Sequence, residues 1–147
     1  MQYWRSLPYL GLGAGAHGYA NGYRYSNILR IKSYIERLMT DHRSLITAFP
    51  LTPATVNHHK QTPHDDMGEY MLNNLRLLNN GVSEEDFKSR FGRDLMEVYP
   101  KEIEDLLRLG LLERVPFQDA AYFTLYVLRL TPSARLVSNQ VFIRFVD

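Results

Sequence analysis

Residues 8–18 read PYLGLGAGAHG, placing Gly11, Gly13, Gly15 and Gly18 in one short run with His17 inside it. Glycine at that density lets the backbone approach a ligand closely or adopt positive φ. The G-x-G-x-G spacing superficially suggests a dinucleotide loop, which needs a helix opening at the third glycine so that its N-terminus meets the pyrophosphate. Ala16 to Gly22 (AHGYANG) starts a helix poorly, so a pyrophosphate site is disfavoured. Two readings stay open: a glycine-rich strand end that packs tightly, or a backbone lining a ligand pocket at the carboxyl end of a barrel strand. A lone histidine such as His17 is more often a structural hydrogen-bonder than a ligand. His58, His59 and His64 form a looser cluster. Histidine metal sites need converging spacing such as i, i+4 on a helix, and His59 and His64 stand five apart beside Pro63. Solvated linker histidines are therefore expected, and no metal site.

Other chemistry is scarce. The chain has no cysteine, which excludes disulfides, zinc–thiolate sites, a cysteine nucleophile and a cysteine-ligated cluster held by these residues. No Ser/His/Asp order or phosphate-binding lysine loop stands out. The paired acids Asp65-Asp66 and Glu84-Glu85 suit helix starts, where the dipole favours negative charge. Met67, Met71 and Met96 fall at core positions of helices, so packing is expected of them. No catalytic residue is assigned.

The elements that must position these groups follow from periodicity. Tyr9, Leu10 and Leu12 suit a short buried strand that the glycines break, and no helix or strand pattern continues through Asn21 and Gly22. Asn27, or Ser26, caps a helix running to about Met39, with Ile31, Tyr34, Ile35, Leu38 and Met39 forming one buried face. Pro50, Pro53 and Pro63 mark residues 49–65 as an irregular connection, dividing the chain into residues 1–60 and 61–147. Asp65 or Asp66 then caps a helix through Met67, Tyr70, Met71, Leu75 and Leu78, ended at Asn80-Gly81. Ser83 and Asp86 approximate a capping box for a second helix stopping at Gly92. Pro100 opens a third, with Ile103, Leu106 and Leu107 inside until Gly110. Leu111–Val115 and Phe123–Leu130 read as strands around a turn at 117–122. Thr131-Pro132 opens a last helix burying Leu136, Val137, Val141 and Phe145. Three helices and a β-hairpin are the layout of a winged helix, so the expected fold is α+β, mostly helical, with a winged-helix-like C-terminal domain.

Composition narrows the function. The 147 residues, 45% hydrophobic and 22% charged, suit a globular chain, and no apolar run approaches the roughly 20 residues of a membrane span. A cytoplasmic location is the default. Residues 1–60 carry seven basic and two acidic groups (+5), whereas residues 61–147 carry ten and fourteen (−4). A helix-turn-helix reader needs basic and amide groups on its outer face. Residues 101–109 (KEIEDLLRL) offer three acids against two bases, so the winged layout is expected to be structural, with no nucleic acid partner. A stand-alone DNA-binding or protein-interaction module is the alternative.

Taken together, these residues resemble the C-terminal part of the oxygen-independent coproporphyrinogen III oxidase-like family of radical S-adenosylmethionine proteins. Tyr3-Trp4, the run Tyr9–Gly18, Arg24, and Asn27 before Tyr34-Ile35 look like that family's last barrel strand and its sequel. Glu69–Arg76, Gly81-Val82, Phe87, Phe91-Gly92, Gly110-Leu111-Leu112 and Leu130-Thr131 look like its C-terminal domain. The resemblance spans essentially the whole chain, in the family's order. Met1-Gln2-Tyr3-Trp4 matches the end of the His-Asn-x-x-Tyr-Trp motif of the family's heme chaperone branch and tilts the likeness toward it.

The resemblance implies a fragment: a barrel-derived strand and helix, then a domain that covers the barrel mouth. It implies that Gly13, Ala14, Gly15, Ala16 and His17 lie near bound S-adenosylmethionine. The oxidase branch has an apolar residue at the position of His17, so a backbone role is implied more strongly than a side-chain one. The intact protein would use S-adenosylmethionine and a 4Fe–4S cluster held by a CxxxCxxC motif elsewhere, with porphyrin or heme as partner. The fragment alone is expected to be non-catalytic, its role lying in porphyrin biosynthesis or heme trafficking. The strand at residues 9–12, cut from barrel neighbours, is expected to pack onto its own helix or pair with a second copy in a homodimer.

Overall fold

Asn21 and Gly22 both adopt positive φ (50° and 74°), the pair that a type I′ hairpin turn requires. They join β1 (His17–Ala20) to β2 (Tyr23–Asn27), antiparallel, with His17 opposite Ser26 and Tyr19 opposite Arg24. β3 (Thr55–Lys60) pairs along the other side of β2, giving the order β1-β2-β3. The computed structural model describes residues 6–39, 48–117 and 125–146, which fall into two units, 1–64 and 65–147. The hairpin corrects the expectation of no pattern through residue 22. Its strands bury Tyr19, Ala20, Tyr25 and Asn27 instead of an alternating aliphatic set, so hydropathy is silent while the Asn-Gly turn signal speaks. β3 likewise replaces an irregular connection; its side chains are mostly exposed, leaving no apolar repeat to read.

Two further expectations for this unit fail. The buried strand at Tyr9–Leu12 reduces to one antiparallel bridge between Tyr9 and Tyr19, with N–O distances of 2.7 and 2.9 Å, while Leu10 and Leu12 are exposed. A side chain at Gly11 would collide with the carbonyl of His17, so the backbones meet there closely and then part. The helix α1 is Ile31–Met39, starting four residues after Asn27, which belongs to β2. Its apolar stripe has the expected spacing, yet Ile31, Ile35, Leu38 and Met39 are exposed and no residue of α1 is buried. Periodicity reports a stripe and not what covers it.

In the second unit the signals hold better. Pro63 occupies the first turn of α2 (Pro63–Leu75), so the helix opens before the aspartates expected to cap it. It stops at Leu75, short of Leu78, and turns bonded to Asn74 and Leu77 carry the chain to Gly81 at φ 65°. A two-residue strand, β4 (Val82–Ser83), comes next without a sequence signal. The Oγ of Ser83 accepts from the Asp86 N–H at 3.1 Å, capping α3 (Glu84–Phe91), and Gly92 ends it in the left-handed conformation. A one-turn helix, α4 (Leu95–Val98), is unforeseen; it buries Leu95 and leaves Met96 40% exposed, against the core role expected of that methionine. α5 (Pro100–Arg108) buries Ile103 and Leu106 as expected.

β5 (Leu112–Phe117) and β6 (Leu125–Leu130) pair antiparallel from Leu112↔Leu130 to Phe117↔Leu125, and β4 adds to β6, giving the order β4-β6-β5. The turn expected at 117–122 and the start of the second strand fall largely outside the described residues. Thr131 Oγ1 accepts from the Ala134 N–H at 3.3 Å, but the element it opens is a 3₁₀ helix, Ser133–Val137, before α6 (Ser138–Phe142). Its three-residue repeat turns Leu136 and Val137 outward, 96% and 38% exposed, where burial was expected; Val141 and Phe145 are buried. α2 approaches the C-terminal segment at Gly68, where a Cβ would meet the carbonyl of Phe145. The core gathers Met71, Leu75, Phe87, Ile103, Leu128 and Phe145, each at most 1% exposed. The fold is α+β.

Candidate functional site

The glycine run is held open by hydrogen bonds to its carbonyls and amides. Asn27, 6% exposed, donates from Nδ2 to the carbonyls of Gly11 and Gly13, both at 3.0 Å. The Gly11 N–H donates to Tyr25 Oη at 3.0 Å and the Gly13 N–H to Tyr34 Oη of α1 at 3.1 Å. Gly15 N–H donates to the Ile28 carbonyl and Asn27 N–H to that of Ala16, both at 2.9 Å. Gly13 and Gly15 have φ of 106° and 70°, a region side chains resist. A Cβ on Gly13 would meet nothing within 4 Å, so a ligand has room above it, whereas one on Gly18 would strike the Tyr25 ring. Asn27 Oδ1 is buried and has no hydrogen-bond partner among the described residues, an acceptor left over beside the turn.

These features fit a group bound through backbone contacts. This chain's contribution is shape: Asn27 fixes the Gly11–Gly13 segment, and the bare backbone admits close approach.

His17 stands apart from Gly13–Ala16. It is the first residue of β1, exposed, and lines a concavity of about 540 Å³ together with Arg24, Ser26, Asn57, His58 and His59. Register explains the gathering. Ser26 lies opposite both His17 and Asn57, and Arg24 opposite both Tyr19 and His59. Side chains alternate along a strand, so His17, Arg24, Ser26, Asn57 and His59 share one face. Of the histidines expected in a linker, His58 and His59 thus line the same concavity as His17, on a strand across β2 from it, and His59 shares its face. Nδ2 of Asn57 donates to Ser26 Oγ at 3.4 Å, and His59 Nε2 bonds Gln61 Oε1 at 3.2 Å. The Arg24 guanidinium lies 4.8 Å from the centre of the Tyr19 ring and donates from Nη1 to Tyr9 Oη at 3.2 Å. Among the described residues no carboxylate lines the concavity. His58 meets the Tyr23 ring edge-on at 6.2 Å. His64 lies in the first turn of α2, and His42 lies outside the described residues. Among the described residues no three His, Cys, Asp or Glu gather to hold a metal ion.

Sequence reasoning missed Asn27 as the clamp of the loop, and Arg24, Ser26 and Asn57 as neighbours of His17. Asn21-Gly22 was the signal that could have found them, since a two-residue hairpin fixes which residues face each other.

Residues 61–115 match the HemN C-terminal domain. The chain is 32% identical over 146 residues to the heme chaperone HemW of Bacillus subtilis (strain 168), an alignment covering 99% of this chain and 33% of that protein. The chain is HemN-like. It is also 29% identical over 110 residues to the heme chaperone HemW of Lactococcus lactis subsp. lactis (strain IL1403), covering 75% of this chain and 26% of the other. The solved structure of coproporphyrinogen III oxidase (HemN) from Escherichia coli, described as a radical SAM enzyme, superposes with a TM-score of 0.61. That match covers 95% of this chain and 28% of the other at 15% identity, a likeness of fold. The HemN-like chain therefore spans a third or less of the length of these proteins. No helix among the described residues is long and apolar enough to cross a membrane.

Proposed function

We propose that this HemN-like chain is the C-terminal portion of a heme-trafficking protein of the radical S-adenosylmethionine class. In this reading the turn at Gly13, Ala14, Gly15 and Ala16 offers its backbone to S-adenosylmethionine, while His17 serves the porphyrin side through its ring. Residues 61–147 form a winged-helix-like cap for the barrel of the intact protein, whose cluster is held by residues outside this chain. The chain by itself performs no turnover.

The observation that supports this reading most is the likeness to heme chaperones along nearly the whole chain, which includes both the glycine run and the histidine-bearing strands. The structure adds that three of the five histidines line one concavity. Neutral imidazole is a common heme ligand, and a single protein ligand suffices to move the Soret band.

Titrating the full chain with iron protoporphyrin IX tests it. The expected result is a Soret shift saturating near one equivalent, lost when one of His17, His58 or His59 is replaced by alanine and kept when His42 or His64 is replaced. An unshifted spectrum contradicts heme binding by this chain.

A further inference from the structure

We propose that the face of the β1-β2-β3 sheet carrying His17, Arg24, Ser26, Asn57 and His59 is a carboxylate-binding site, taking the propionate groups of a porphyrin. The porphyrin half of this statement rests on the heme reading above; the carboxylate half rests on the sheet.

The face is built from donors. Arginine, imidazole, amide and hydroxyl groups stand on three neighbouring strands, and among the described residues no aspartate or glutamate lines the same concavity. Strands lie about 4.8 Å apart, so the donors form a row able to meet both carboxylates of a dianion. Arg24 is oriented before any ligand arrives: its guanidinium rests over the Tyr19 ring and donates to Tyr9 Oη. A fixed guanidinium loses less freedom on binding than a mobile one. The concavity of about 540 Å³ lies within the usual range for small-molecule sites. The +5 balance of residues 1–60 draws anions toward this half of the chain.

The test uses the full chain with three probes: iron protoporphyrin IX, its dimethyl ester, and succinate. Binding is followed by Soret absorbance for the first two and by amide and imidazole chemical shifts for succinate. Arg24→Gln is expected to weaken protoporphyrin binding roughly tenfold and to abolish the succinate shifts, with Arg24→Lys intermediate. The ester, lacking carboxylates, is expected to bind more weakly and to be indifferent to Arg24→Gln. Should R24Q disturb the sheet, Asn57→Ala reports the same face from its exposed edge, weakening protoporphyrin and sparing the ester. If the ester binds as tightly as the diacid, or if none of these variants changes protoporphyrin binding, the carboxylate site is overturned while heme binding stands. If succinate shifts this face in the wild type but protoporphyrin does not bind, the site stands and the heme reading falls. If neither probe binds, both are overturned.

Discussion

The two units solve the problem of stability differently. Residues 65–147 enclose a core in which Phe87, Ile103, Leu128 and Val141 have no exposure. Residues 1–64 bury little apolar mass: Tyr19, Ala20, Tyr25, Pro50 and Ala54 are the buried apolar or aromatic side chains among those described. Its shape comes from a hairpin register and from side chains tied to backbone, such as Asn27 clamping Gly11 and Gly13. Burial fixes one unit and hydrogen bonds fix the other. Buried side chains cannot meet a ligand, so the second arrangement is the one that leaves imidazole, amide and guanidinium groups on an open face.

Substitutions can break or sharpen that contrast. The largest effect is expected for Phe87→Ala, which removes a ring packed against Tyr70, Phe91 and Tyr99. It should destabilise the second unit by about 3–5 kcal/mol in urea unfolding. Gly81→Ala ranks next, at about 1–3 kcal/mol, because φ is 65° and the new Cβ would meet the Leu128 carbonyl. Alkaline titration sharpens the picture of the same core. Burial pushes the Tyr70 hydroxyl up to about 12, with Asp86 adding to the rise and Arg90 opposing it. Between pH 10 and 12 the unfolded chain holds fewer protons than the folded one, so stability should be level below pH 10 and fall as pH approaches 12. Ser83→Ala, which removes the cap on α3, is expected to lower stability by about 1 kcal/mol. Smallest is Ile35→Ala on the exposed stripe of α1, within about 0.5 kcal/mol of the wild type. A loss at Ile35 as large as that at Phe87 would erase the distinction between the units.

The second unit was the more legible in sequence for the same reason. Ser83, Gly92, Pro100 and Gly110 are local signals with local causes, and each acts where expected. Apart from the two ends of α2, errors there come from one-turn elements: β4, α4 and the 3₁₀ helix are too short for any period to register, which misplaced Met96, Leu136 and Val137. In the first unit the pattern of α1 was sound while its burial was not, since a stripe does not name its cover. The glycine run was recognised, but its clamp was not, because Asn27 reads equally well as a helix cap. Bringing His17 together with Asn57 and His59 depends on pairing across about forty residues, which no local window contains.

The central claim is that the hydrogen-bonded unit, and not the well-packed one, carries the ligand face. Mapping backbone amide signals of the full chain while adding iron protoporphyrin IX tests it most directly. Shifts and broadening centred on His17, Arg24, Ser26, Asn57 and His59, with α3, α5 and β5 unchanged, are the predicted result. Perturbation centred on residues 65–147, or none in either unit, would contradict it.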